Sequence, residues 1–228
     1  MKKIGLFYAA NAVKTSQVAK KIRKVLGAEN VDIIPAEQAW GNDFEAYDNL
    51  IIGVSTWFDG ELPTYWDELI PELETLDLKG KRVALFGLGD QVNYPDNFAD
   101  GLGLLGDAFE KAGASLVGFT PTKDYSFNRS KALRGNEWCG LVLDFENQSE
   151  MTDGRIKAWC DRLRAASAHL SPSIPAETMP PAYPAPSPQG NNPFRRTCCK
   201  VSLSLMMRTG DDVRVSTPIM VASLVRKP

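Results

Sequence analysis

The residue types that suit ligand chemistry are concentrated in three short stretches. In "STWFDGELPTYW" (55–66), Trp57 and Phe58 precede the flexible pair Asp59-Gly60. In "GLGDQVNYPDNF" (87–98), Tyr94 stands in a polar loop with Asp90, Asp96 and Asn97. Two aromatic rings on neighbouring loops can clamp a planar ligand from both sides. The third stretch, "ANAVKT" (10–15), lies between an apolar run and an amphipathic segment. Free N–H groups at a helix amino end suit an anion such as phosphate. Such a loop would be expected to carry hydroxyls and a glycine, but this one has Ala10, Ala12 and Val13, keeping Asn11, Lys14 and Thr15. Singly, each feature also fits ordinary packing, and Gly87-Leu88-Gly89 is too short for a nucleotide fingerprint.

These stretches need elements to position them. "KIGLFY", "NLIIGVST" and "RVALFGLG" are short, continuous apolar runs bounded by turn signals, the pattern of strands covered on both faces. "VDIIPA" (31–36) is a weaker fourth, and "SLVGFT" (115–120) with "GLVLD" (140–144) a divided fifth. Between them, Val18, Ile22, Val25 and Leu26 form one face of a helix over Thr15 to Gly27, with Gly27 placed to stop it. Residues 64–76 and 98–113 also read as helices. A last one carries the stripe Ile156, Trp159, Cys160 and Leu163, with Asp153 as a candidate cap. Strands alternating with helices predict an α/β fold with a parallel sheet covered on both faces. Ligands of such sheets bind at the carboxyl ends of the strands, where all three stretches fall.

Composition narrows the function classes. Of 26 basic and 28 acidic residues, seven and three respectively follow Leu170, leaving residues 1–170 with 19 against 25, a net charge of −6. That balance argues against nucleic acid and for a basic partner. No apolar run approaches the ~20 residues of a membrane helix. Met1-Lys2-Lys3 leads straight into a strand without a cleavage-site pattern, so the expected location is cytoplasmic. The four cysteines lack metal or CxxC spacing, and Trp159 and Cys160 are expected in the core. Eight of the fifteen prolines fall in "SPSIPAETMPPAYPAPSPQGNNP". Residues 171–228 therefore read as a Pro-rich linker and disordered tail, and 1–170 as the folded domain.

Together the motifs resemble a known family. From residue 1 to about 169, "IGLFY", "LIIGVSTW", "GELP", "LKGKRVALFGLGDQVNYPDNF", "VGFTPTKDYSF" and "GLVLDFENQSEMTDGRIKAW" resemble long-chain flavodoxins in order and spacing. Residues 121–139 correspond to the long-chain insertion. "KTSQVAKKI" and "FGLGDQVNYP" are similar to flavodoxins of nitrogen-fixing bacteria. The resemblance implies a doubly wound five-stranded sheet of order 2-1-3-4-5 in a three-layer sandwich, holding FMN noncovalently. It implies phosphate at Ala10, Asn11, Ala12, Val13, Lys14 and Thr15, and the isoalloxazine between Trp57 and Tyr94. Thr56, Gly60, Gly89, Asp90 and Asn97 would line the ring or ribityl chain. A carbonyl within Phe58-Asp59-Gly60 would turn toward the flavin, a rotation that Gly60 makes inexpensive. Asp144 and Glu146 lie near the site's edge without an assigned contact.

The implied function is a low-potential one-electron carrier rather than an enzyme, and a monomer. Its implied partners are a basic reductase and iron–sulfur or other redox acceptors, nitrogenase among the candidates. They would meet Trp57 and Phe58 amid Asp59, Glu61, Asp67 and Glu68. Losing two hydroxyls from the phosphate loop predicts weakened FMN binding. A β-branched Val13 fits poorly near phosphate and resists a positive φ. Alternatives are a flavodoxin-fold binding module without FMN, a flavin-dependent quinone reductase and a phosphorylated receiver. No nicotinamide site supports the reductase, and the first strand ends in Tyr8-Ala9-Ala10 rather than the acidic residues of a receiver.

Overall fold

Five apolar runs become the strands of one parallel sheet in a computed structural model that describes residues 3–168. Strands β1 (Ile4–Tyr8), β2 (Val31–Pro35), β3 (Asn49–Ser55), β4 (Arg82–Leu88) and β5 (Ser115–Val117) lie in the order β2-β1-β3-β4-β5. The fifth position is divided, as expected. β5 pairs with Arg82–Ala84 of β4, and the later strand β9 (Leu141–Leu143) pairs with Phe86–Leu88 of the same strand. Between these halves, β6 (Thr120–Pro121), β7 (Leu133–Arg134) and β8 (Glu137–Trp138) form a small antiparallel sheet of order β6-β8-β7.

The continuous apolar runs are explained by burial on both faces. Successive side chains along a strand point to opposite sides. Leu6, Ile51 and Phe86 accordingly join a core with Val18, Ile22, Trp159 and Cys160. Phe7, Ile52 and Leu85 join another with Phe44, Trp66, Leu102 and Phe109. Helices α1 (Val13–Leu26) and α5 (Thr152–Ala168) cover the first face; α2 (Gly41–Glu45), α3 (Thr64–Leu73) and α4 (Asp100–Lys111) cover the second. Gly53 has a packing role: a Cβ there would lie 2.1 Å from Cζ of Phe86, whose ring covers it from the next strand.

Helix boundaries differ from the sequence reading where local chemistry intervenes. α1 starts at Val13, two residues early, with Ala12 as an N-cap that makes no side-chain bond. α4 starts only at Asp100, because Ala99 takes a left-handed conformation at φ +57°. Asp153 is not a cap. It lies inside the first turn of α5, and its carboxylate accepts from Lys21 Nζ at 2.5 Å. α2, only five residues long, carries no periodic signal from which it could be read. The expectation for residues 171–228 lies outside the described residues.

Candidate functional site

The carboxyl ends of β1, β3, β4 and β9 open onto a cavity of about 710 Å³. All the candidate residues line it except Ala10, Asn11 and Gly60. Parallel register sets this up: Ser55 pairs with Leu88, which pairs with Leu143, so the following loops leave the sheet at one level.

At one end lies the amino terminus of α1, lined by Ala12, Val13, Lys14 and Thr15. The helix has no side-chain cap and no acidic residue in its first turn. Its leading N–H groups and positive dipole end therefore face a place suited to an anion. Thr15 is buried, and its Oγ1 has no hydrogen-bond partner; the same holds for Ser55 Oγ. Buried hydroxyls without partners on a cavity wall are groups that a polar ligand would satisfy. The expected strain at Val13 is absent. Val13 is the first residue of α1 and does not have a positive φ; it lines the cavity and is 69 % exposed. Lys14 pairs with Glu146, which also lines the cavity. Ala10 and Asn11 precede this lining in the same loop, and their N–H groups donate to Glu37 Oε2 and Oε1 at 3.2 and 3.3 Å.

Aromatic residues line the same cavity. Trp57 and Tyr94 line the same cavity and are 36 % and 51 % exposed. Phe58, at φ +42° and 73 % exposed, stands edge-on to Trp57 with ring centroids 6.2 Å apart. A tight backbone loop holds them: Trp57 N–H donates to Glu61 O at 2.9 Å, and Trp57 O accepts from Gly60 and Glu61 N–H at 3.1 and 2.8 Å. Gly60 thus lies behind the wall rather than on it. At φ +93° its added Cβ would meet Asp100 Oδ2 at 2.7 Å, so it lets this loop pack onto the start of α4. Thr56 serves both purposes: it lines the cavity, and its hydroxyl accepts the N–H of Gly101 at 3.1 Å.

The loop bearing Tyr94 is organised by carboxylates. Asp90 Oδ1 accepts from Val92 and Asn93 N–H and from Asn147 Nδ2, and Oδ2 accepts from Asn93 Nδ2. Burial would raise its pKa, but these bonds together hold the carboxyl below its usual range. Asp144, fully buried, accepts from the backbone and side-chain N–H of Gln91 at 3.1 and 2.9 Å, and from the N–H groups of Glu146 and Asn147. It fastens the loop after β9 to the loop after β4. The insertion braces that second loop from outside, through Asn128 N–H to Pro95 O, Arg129 Nε to Asp96 O and Ser126 N–H to Gln91 Oε1.

Sequence reasoning missed Ser55, Leu88, Ala99 and Phe145 as lining residues, and left Glu146 unassigned. Ser55 and Leu88 end strands already identified, so their strand-end position is the signal that pointed to them. Ala99 and Phe145 carry no such signal. Among the described residues, no three His, Cys, Asp or Glu side chains are grouped to hold a metal ion, and no helix is long and apolar enough to cross a membrane.

Comparison with known proteins agrees with this arrangement. A family model described as flavodoxin matches residues 6–159. The flavodoxin of Nostoc sp. is 46 % identical over 164 residues, 72 % of this chain and 96 % of that one. That of Synechococcus elongatus is 42 % identical over 166 residues, 72 % of this chain and 98 % of that one. The crystal structure of Fusobacterium nucleatum flavodoxin bound to flavin mononucleotide superposes with a TM-score of 0.69 at 31 % identity, covering 73 % of this chain and 99 % of that one. With the sheet order, the cavity at the strand ends and these matches in place, the chain belongs to the flavodoxin family.

Proposed function

We propose that residues 1–170 bind FMN noncovalently in this cavity and carry single electrons at low potential between redox proteins. The observation that carries the reading is one cavity lined both by Trp57 and Tyr94 and by the uncapped amino end of α1 with the unpartnered Thr15 hydroxyl. An aromatic wall suits a planar ring, and a bare helix terminus suits its phosphate. Bound there, the flavin supplies the one-electron redox chemistry. The protein's part is to hold it, shield it and set its electrostatics. The lining brings two carboxylates, Asp90 and Glu146, against one ammonium, Lys14, which Glu146 already engages. The Asp90 carboxylate would disfavour added negative charge on a flavin held there, which would favour a low potential.

The altered loop favours a second reading, a binding module of the same fold without FMN. Loss of two hydroxyl bonds to a charged phosphate costs ~3–6 kcal/mol, about two to four decades of affinity. The main-chain donors, Thr15 and the aromatic walls remain, so FMN binding is weakened rather than abolished. The discriminating experiment is a reductive titration of the purified chain with FMN. Two separate one-electron potentials, the lower well below that of free flavin, support the carrier; potentials equal to those of free flavin leave the module.

Partners follow from the rim. Asp59, Glu61, Asp67 and Glu68 are exposed near Trp57 and Phe58. This surface suits a basic reductase and an iron–sulfur or other redox acceptor, with transient contact and a monomeric carrier in the cytoplasm. Nitrogenase is one candidate acceptor, on the wording similar to flavodoxins of nitrogen-fixing bacteria. Transfer should slow as salt rises, and salt-independent transfer contradicts this surface.

A further inference from the structure

Building on the FMN reading, we propose that Glu37 is an internal anion that competes with the flavin phosphate for the loop after β1. It thereby sets how strongly this chain prefers a phosphorylated flavin over an unphosphorylated one. The loop lacks hydroxyls at Ala10 and Ala12, so its main-chain N–H groups supply most of its capacity for an anion. Two of those groups are already taken. Ala10 N–H donates to Glu37 Oε2 at 3.2 Å and Asn11 N–H to Oε1 at 3.3 Å, one donor to each oxygen. A carboxylate with two oxygens on two successive N–H groups satisfies them much as phosphate oxygens would. An arriving phosphate either finds them occupied or must displace a like charge. The loop's own cation does not offset this, because Lys14 is paired with Glu146.

The fold places Glu37 for this role. β2 runs beside β1 with Pro35 opposite Tyr8, so the one-turn 3₁₀ segment Ala36–Gln38 emerges next to the loop that follows Tyr8. Ala36 and Ala39 are buried and anchor that turn, while Glu37 is exposed and able to leave. A second hydrogen-bond donor for that carboxylate is close by. Tyr65 on α3 has a buried hydroxyl whose proton finds no acceptor. Burial weakens the acidity of this phenol most, and the charge of Glu37 adds to the effect, so the two groups lie within electrostatic reach. When phosphate takes the Ala10 and Asn11 N–H groups, the Glu37 carboxylate turns to accept the Tyr65 hydroxyl.

The test titrates the full chain with FMN and with riboflavin, following flavin fluorescence, for the wild type, Glu37→Gln and Tyr65→Phe. Far-UV circular dichroism and thermal unfolding verify the fold of each. Glu37→Gln should lower the FMN dissociation constant at least tenfold and leave that of riboflavin within twofold. Tyr65→Phe should weaken FMN severalfold in the wild-type background and have no effect once Glu37 is Gln. An FMN-to-riboflavin preference that is unchanged or reduced by Glu37→Gln overturns the role of Glu37 alone and leaves the FMN reading standing. Failure of every variant to bind either flavin overturns both. Binding of FMN by Glu37→Gln but not by the wild type supports the competition in its strongest form.

Discussion

Ala12 is the position where one added hydroxyl should have two separable effects. It is the N-cap of α1 at φ −88°, ψ 100°, the extended conformation that a capping residue adopts, yet its methyl group caps nothing. In Ala12→Thr, the new oxygen can accept an N–H from the first turn, worth roughly 0.5–2 kcal/mol to the protein without ligand. For a domain of this size, 1 kcal/mol corresponds to about 2–4 °C in Tm. A hydroxyl has a proton to give as well as lone pairs, so it can also donate to a phosphate. A hydrogen bond to a charged group is worth ~1.5–3 kcal/mol, about ten- to 150-fold in affinity. Riboflavin has no phosphate and should gain nothing. Adding Val13→Gly should bring no further gain, because Val13 is helical and glycine there only loosens the first turn. The assay is a fluorescence titration of Ala12→Thr with both flavins, beside thermal unfolding without ligand. If FMN and riboflavin affinities rise together, or neither moves, the phosphate does not lie at the amino end of α1.

Further outcomes follow from other parts of the site. Asp144→Ala leaves two buried N–H donors of Gln91 unpaired, so urea denaturation should show a loss of ~2–6 kcal/mol, and an unchanged midpoint contradicts the bridging role. Gly60→Ala forces an L-residue to φ +93° against Asp100, at a cost of about 1–3 kcal/mol seen as a lower Tm; equal stability shows that the loop relaxes freely. The carboxyl of Asp90 is held below its unfolded value, so its contribution to the Tyr94 loop is fully present above about pH 3.9 and is lost as pH falls through the lower folded value. Asp90→Asn should therefore weaken FMN binding at pH 7 and flatten the acid limb of its pH profile. Burial pushes the thiols of Cys139 and Cys160 up to about 12, so peptides containing them should resist iodoacetamide at pH 8 in the native chain and react in urea.

The sheet was legible in the sequence because burial on both faces leaves continuous apolar runs, and "LIIGVS" and "VALFGL" have no other simple reading. The aromatic walls were legible because Trp57 and Tyr94 each stand in the loop that follows such a run. Contacts between segments distant in the chain were not. Glu37 reaches Ala10 and Asn11 across 27 and 26 residues, and Asp144 reaches Gln91 across 53; no local periodicity encodes either. Gly60 was misplaced for a similar reason. Trp57 and Phe58 shortly before it line the cavity, but its positive φ serves packing onto Asp100 at the start of α4. Val13 was read as strained by analogy with a glycine, whereas α1 simply begins there.

The most direct test of the central claim is a fluorescence titration of FMN with the purified chain. Stacking between Trp57 and Tyr94 should quench the flavin emission to a single endpoint at one flavin per chain, and Trp57→Ala should reduce the quenching. Emission unchanged by an excess of protein would show that the cavity at the strand ends does not hold this ligand.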